Sequence, residues 1–89
     1  MNIKKSASAG TMESSDAYVE IVPGTAGLNV YIESVVEKQF GDKINAAVRD
    51  VLRECGVENA EVHVIDRGAL ECVIRARVET AVKRSGGEN

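Results

Sequence analysis

From Ala17 onward the chain runs through two hydrophobic rhythms. The stretch "LNVYIES" sets Leu28, Val30 and Ile32 against Asn29, Tyr31 and Glu33, the period of two of a half-buried strand. "AYVEIV" before it is rich in β-branched and aromatic residues, which suit a pleated sheet. "NAEVHVID" repeats the alternation, with Ala60, Val62 and Val64 opposite Glu61, His63 and Ile65. Between the strands the rhythm changes. Val36, Phe40, Ile44, Val48, Val51 and Cys55 recur every three or four residues, one face of a helix. Ser34 followed by Glu37 makes a capping-box pattern. Gly41 interrupts the helix at a cost of about 1 kcal/mol relative to Ala. The pattern therefore allows a start at Ser34 or a restart with Asp42 as N-cap, and Gly56 ends the helix in the C′ role. Asp66 can cap a second helix, striped by Leu70, Val73, Ile74, Val78, Ala81 and Val82. Glu71 with Arg75, and Glu79 with Lys83, stand at i,i+4 in the favourable order.

The predicted order is β-β-α-β-α. "PGTAG" (Pro23 to Gly27) reads as a turn, so the first two strands are expected to form a hairpin. The second strand, first helix and third strand form a crossover, expected to be right-handed. The sum is a two-layer α+β domain: a small mixed sheet of about three strands with both helices on one face. Residues 1–16, rich in Ser, Ala, Gly and Lys, bury too little to offset their ordering entropy and are expected to be flexible. Residues 17–85 make the domain, and 86–89 are expected to fray.

Composition sharpens this picture. Eighty-nine residues suit one domain, and a chain of that size buries only about 60–65% of its unfolded surface. Aromatics are confined to Tyr18, Tyr31 and Phe40, so a core drawn from 44% apolar residues must be aliphatic. A net charge of −3, with no basic patch interleaved with aromatics, argues against nucleic acid as a partner. "MNIKK" is not followed by an apolar h-region, and no apolar run approaches the ~20 residues of a membrane helix, so a cytoplasmic protein is expected. Cys55 and Cys72 lack a Cys-x-x-Cys pattern and read as reduced thiols.

Little in the sequence points to catalysis. His63 stands alone, facing away from Val62 and Val64, with no patterned partner for a metal site. "PGTAG" lacks the Gly-Lys-Ser/Thr ending of a phosphate loop. Glu13 and Asp16 lie in a polar segment that offers no burial to tune an acid–base pair. Ser14 and Ser15 remain. Ser-Ser-Asp before a strand is an ordinary turn, and no neighbouring base activates either hydroxyl as a nucleophile. An accessible serine can instead be a site that another enzyme modifies.

"AGTMESSD" near the start, "VEKQFGDKI" in the first helix and "DRGALECVIRARVE" near the end resemble the acyl carrier protein, or gamma subunit, of citrate lyase. The resemblance spans nearly the whole chain, with the three blocks in order. It implies that Ser14, directly after the glutamate of the "ES-x-D" word, carries a covalent prosthetic group. That group is 2′-(5″-phosphoribosyl)-3′-dephospho-CoA, joined through a phosphodiester. Its thiol would hold acetyl and citryl groups, passed between an acyl-transferase (alpha) and a lyase (beta) subunit as citrate is cleaved to acetate and oxaloacetate. A dedicated transferase would load the group, and the carrier would itself catalyse neither step. The "ES-x-D" word also resembles the carrier subunit of malonate decarboxylase, an alternative assignment. A further alternative is an unmodified scaffolding domain of an oligomeric complex. The cofactor is polyanionic and would be repelled by Glu13 and Asp16, so cations holding its phosphates are expected to come from the transferase. Ordinary acyl carriers are helical bundles with Asp-Ser-Leu at a helix start; a β-β-α-β-α carrier would be built differently.

Overall fold

The structure, a computed structural model, describes residues 3–35 and 38–86, without the side chains of residues 38–40. Its elements are β1 (Ala7–Gly10), β2 (Ala17–Pro23), β3 (Leu28–Ser34), α1 (Lys38–Glu54), β4 (Ala60–Asp66) and α2 (Glu71–Ser85). They form the α+β domain expected, with a four-stranded mixed sheet in the order β1-β2-β4-β3. β4 runs antiparallel to β2 and parallel to β3. One row across the sheet reads Ala9, Val19, Val64, Ile32. Val19 and Val64 in this row, with Ile21 and Val62 beside them, are almost completely buried. Ile44, Val48, Val51 and Leu52 of α1 and Ile74, Val78, Ala81 and Val82 of α2 complete the same core. The helices pack on each other, α2 over β1 and β2 and α1 over β3.

Two expectations about the strands are corrected. β2 and β3 are antiparallel in direction, as a hairpin requires, but β4 lies between them. β4 carries buried residues at alternate positions along its whole length, so two neighbours cover it better than one edge would. The 24–27 turn spans the gap across the end of β4: Ala60 donates its N–H to Gly27 O (3.0 Å), and Gly27 donates to Asn59 Oδ1 (2.8 Å). The second correction is the strand count. Part of the segment assigned to a flexible leader forms β1, an edge strand paired with β2. Ile3 and Ala9 enter the core, Lys4 and Lys5 donate their N–H groups to Ser85 O (3.0 and 3.1 Å), and Arg84 donates to Ser8 O (2.9 Å). A four-residue strand of Ala, Ser and Gly carries too weak a pattern to be read, and contacts from the far end of the chain supply what propensity lacks.

The helix ends also resolve. α1 begins at Lys38 and runs through Gly41, so Asp42 is not its cap, and Ser34 is the last residue of β3. Glu37 and Val36 lie outside the described residues. α1 stops as expected, in a Schellman arrangement: Val57 donates to Leu52 O (2.9 Å) and Gly56, at φ 75°, to Arg53 O (3.0 Å). Asp66 does not cap α2, which starts at Glu71 with no side-chain cap. Arg75 reaches across to Glu54 (3.3 Å) on α1 rather than back to Glu71, while Glu79 and Lys83 pair at 3.4 Å. Gly86 caps α2, and residues 87–89, part of the expected frayed tail, lie outside the described residues.

Candidate modification site

β1 and β2 form a true hairpin, and the loop between them, residues 11–16, carries both serines. The loop is pinned from within and from without. Asp16 donates its N–H to Glu13 O (3.1 Å), closing a turn with Ser14 and Ser15 at its centre. Ser15 sits at φ 67°, the positive value that the third residue of a type II turn demands. Its N–H donates to Arg67 O (2.8 Å), and Arg67 returns its N–H to Asp16 O (2.9 Å), so the β4–α2 connection grips the loop as a strand would.

Asp16 organises the rest. Its carboxylate accepts from Thr11 Oγ1 (2.7 Å), from the Ala17 N–H (2.7 Å), and from Arg77 through Nε (3.1 Å) and Nη2 (3.0 Å). The Thr11 hydroxyl, the Ala17 N–H and the Arg77 guanidinium together hold the carboxyl down, from an ordinary 3.8 to about 2. Thr11 Oγ1 in turn accepts from the Glu13 N–H (3.2 Å). Gly10 makes the approach possible. It lies at φ 94°, and a Cβ there would stand 1.9 Å from Ala17 O and 3.2 Å from Arg77 Cδ. Four residues of "AGTMESSD" thus have a place: Gly10 for close approach, Thr11 and Asp16 for the internal brace, Ser14 at the tip. Ser14 is exposed, and none of the bonds that brace the loop uses its hydroxyl. Ser15 is also exposed, but its backbone is committed to the turn.

The "DRGAL" block forms the facing wall. Asp66, only 2% exposed, accepts from Ser34 Oγ (2.8 Å), Gly68 N–H (3.0 Å) and Ala69 N–H (2.9 Å), which turns the chain sharply after β4. This turn places the Arg67 side chain in solvent beside the serine loop. The acids Glu13 and Asp16 are therefore not the only charges at this loop. Asp16 is charge-paired with Arg77, and Arg67, whose backbone O accepts from the Ser15 N–H, carries an exposed side chain. The motif spacing hid this, because Arg67 and Arg77 stand more than fifty residues away in the chain. Met12, Val35 and Leu70 are exposed large apolar residues, and all lie in connections at this same end of the sheet.

Other candidates fall elsewhere. His63 lies on the outer sheet face, stacked on Tyr31 at a 4.9 Å centroid separation and 3.4 Å from Glu61. Cys55 is half-buried, its thiol pushed up by burial, and Cys72 is exposed; neither forms a disulfide. Glu13 is exposed and takes no part in an ion pair among the described residues. No helix among the described residues is long and apolar enough to cross a membrane.

A protein-family model described as "ACP: Malonate decarboxylase delta subunit (MdcD)" matches residues 4–85. The chain is 51% identical over 85 residues to a citrate lyase acyl carrier protein of Pectobacterium atrosepticum, covering 96% of this chain and 88% of that one. It is 49% identical over 89 residues to a citrate lyase acyl carrier protein of Albidiferax ferrireducens, covering 99% and 91%. Among solved structures it resembles a chain of a Pseudomonas malonate decarboxylase hetero-tetramer in complex with malonate, with a TM-score of 0.81 over 97% of this chain and 89% of that one. At 21% identity this last likeness speaks to the fold.

Proposed function

The chain belongs to the citrate lyase acyl carrier protein family, and on that premise we propose that it is the carrier subunit of a citrate lyase, modified at Ser14. The group it would carry is phosphoribosyl-dephospho-CoA, linked through a phosphodiester. When bound, that group supplies a thiol on a long arm, able to hold an acyl group as a thioester. The chain's own residues supply an anchor. One observation carries this reading: Ser14 stands at the tip of a loop braced by Thr11, Asp16 and Arg77, yet its hydroxyl is left out of the brace.

The geometry suits a carrier rather than an enzyme. Among the described residues no base is hydrogen-bonded to the Ser14 hydroxyl, so its proton is left to the enzyme that loads it. The rigid part of the work is presentation. A fixed turn shows one hydroxyl to the transferase, while the mobility needed to visit two active sites resides in the arm. Tethering raises the effective concentration of the acyl group at each site without any catalytic side chain on this chain. Met12, Val35 and Leu70 surround the presented end with apolar surface, which a partner engaging the serine would cover. The partners proposed are the alpha (acyl transferase) and beta (lyase) subunits and the prosthetic-group transferase. Identities near 50% to citrate lyase carriers favour this assignment over a malonate decarboxylase carrier.

Intact-mass measurement after co-expression with the prosthetic-group enzymes tests the site. One nucleotide-sized adduct is expected, lost in Ser14→Ala and kept in Ser15→Ala. The reverse pattern would move the anchor to Ser15, and no adduct in any variant would leave the scaffold reading.

A further inference from the structure

A groove of about 220 Å³ is lined by Lys43 and Ile44 of α1, by Glu71 and Ile74 of α2, and by Asp66, Gly68 and Ala69 of the β4–α2 connection, the same connection whose Arg67 backbone bonds the serine loop. Resting on the proposed modification of Ser14, we infer that this groove seats the nucleotide base of the carried group, with Arg67 against its phosphodiester.

Reach comes first. Ser14 and Gly68 each adjoin one end of the Ser15 N–H to Arg67 O bond of 2.8 Å. Two Cα steps and one paired crossing place their Cα atoms within about 13 Å of each other. The groove is therefore close to the attachment point. In the group proposed, the phosphate, sugars and adenine lie next to the serine, and the pantetheine arm with its thiol lies beyond them. The near end is the part a groove at this distance can hold, and holding it leaves the reactive end free to travel.

Size and lining agree. Pockets for drug-sized ligands run to about 300–1,000 Å³, so this groove suits a smaller, flat fragment. Ile44, Ala69 and Ile74 offer apolar walls, and the Glu71 carboxylate at the rim can accept from an exocyclic amine. Arg67 is exposed, and its guanidinium has no partner among the described residues. Its backbone is clamped on both sides by Ser15 and Asp16, so the side chain leaves from a fixed point beside Ser14. A guanidinium so placed matches the planar, two-pronged geometry of phosphate oxygens. Asp66 holds the Gly68 and Ala69 amides in the turn, which keeps groove wall and cation in one rigid piece.

The test compares the full chain with and without the group on Ser14, loading being checked by intact mass. Nuclear Overhauser cross-peaks are expected between the adenine ring protons and the methyls of Ile44, Ala69 and Ile74. Arg67→Gln changes an exposed side chain and is expected to keep the adduct, but to shift the phosphodiester phosphorus resonance toward that of a free diester. An adduct whose adenine protons meet no groove methyl overturns this inference alone. Cross-peaks from the pantetheine methyls instead of adenine also overturn it. A chain with no adduct on Ser14 overturns the functional reading as well, so the two failures are distinct.

Discussion

Gly10→Ala perturbs the serine loop without touching a serine. Gly10 pairs with Tyr18 at the end of β1 and lies at φ 94°. Two costs follow. An L-residue in left-handed space loses about 1–2 kcal/mol. The new Cβ would also stand 1.9 Å from Ala17 O, a backbone atom of a fully buried residue that no rotamer change can move aside. The hairpin end must open, and with it the Asp16–Arg77 brace, since the same Cβ meets Arg77 Cδ at 3.2 Å. A total of about 2–4 kcal/mol is expected, the range of backbone strain combined with a broken buried network. Gly27→Ala is the matched control. It has φ 82° but nothing within 4 Å of the added carbon, so only the conformational cost of about 1–2 kcal/mol applies. Urea unfolding followed by circular dichroism separates them. With m about 1 kcal/mol/M, midpoints should fall by about 2–4 M for Gly10→Ala and about 1–2 M for Gly27→Ala. Equal losses in the two variants would refute the claim that close approach, rather than φ alone, fixes a glycine before the serine loop.

Three further outcomes are expected. Ser15→Gly should stabilise the fold by roughly 1 kcal/mol, by relieving a non-glycine residue at φ 67°, and should leave loading of Ser14 intact by mass. Asp16 is held to about 2 against an ordinary 3.8, so the unfolded chain binds its proton first; its stabilisation is complete above pH 4 and fades as pH falls toward 2, and Asp16→Asn should flatten that part of the denaturation-midpoint profile. Leu70→Asp replaces an exposed apolar residue at the uncapped start of α2; it should raise stability by about 1 kcal/mol through N-capping, yet raise the transferase KM for the carrier if Leu70 belongs to the docking rim.

The strands with sustained alternation and the two helical stripes were legible in the sequence, because burial on one face imposes a period that local composition reveals. Ala60, Val62 and Val64 are buried together as their alternation suggests, and Gly56 ends α1 as its position suggests, whereas Leu70, assigned to the second helical stripe, lies exposed just ahead of α2. What was hidden is non-local. β1 is too short and too polar to announce itself, and it is held by α2 from the opposite end of the chain. The order of strands could not follow from adjacency, since β4 displaces β3 from β2 only once α1 has carried the chain back across the sheet. At the site, the serines and their motif were visible, but the reason for the motif was not. Thr11, Asp16 and Gly10 make sense only beside Arg77 and Arg67, and their pairing across about sixty residues leaves no local signal.

The most direct measurement is peptide-level mass mapping of this chain taken from its working complex. The account predicts a phosphodiester-linked nucleotide adduct on the peptide containing Ser14, localised to that residue by fragmentation. A bare Ser14 in a complex that cleaves citrate at its full rate would contradict it.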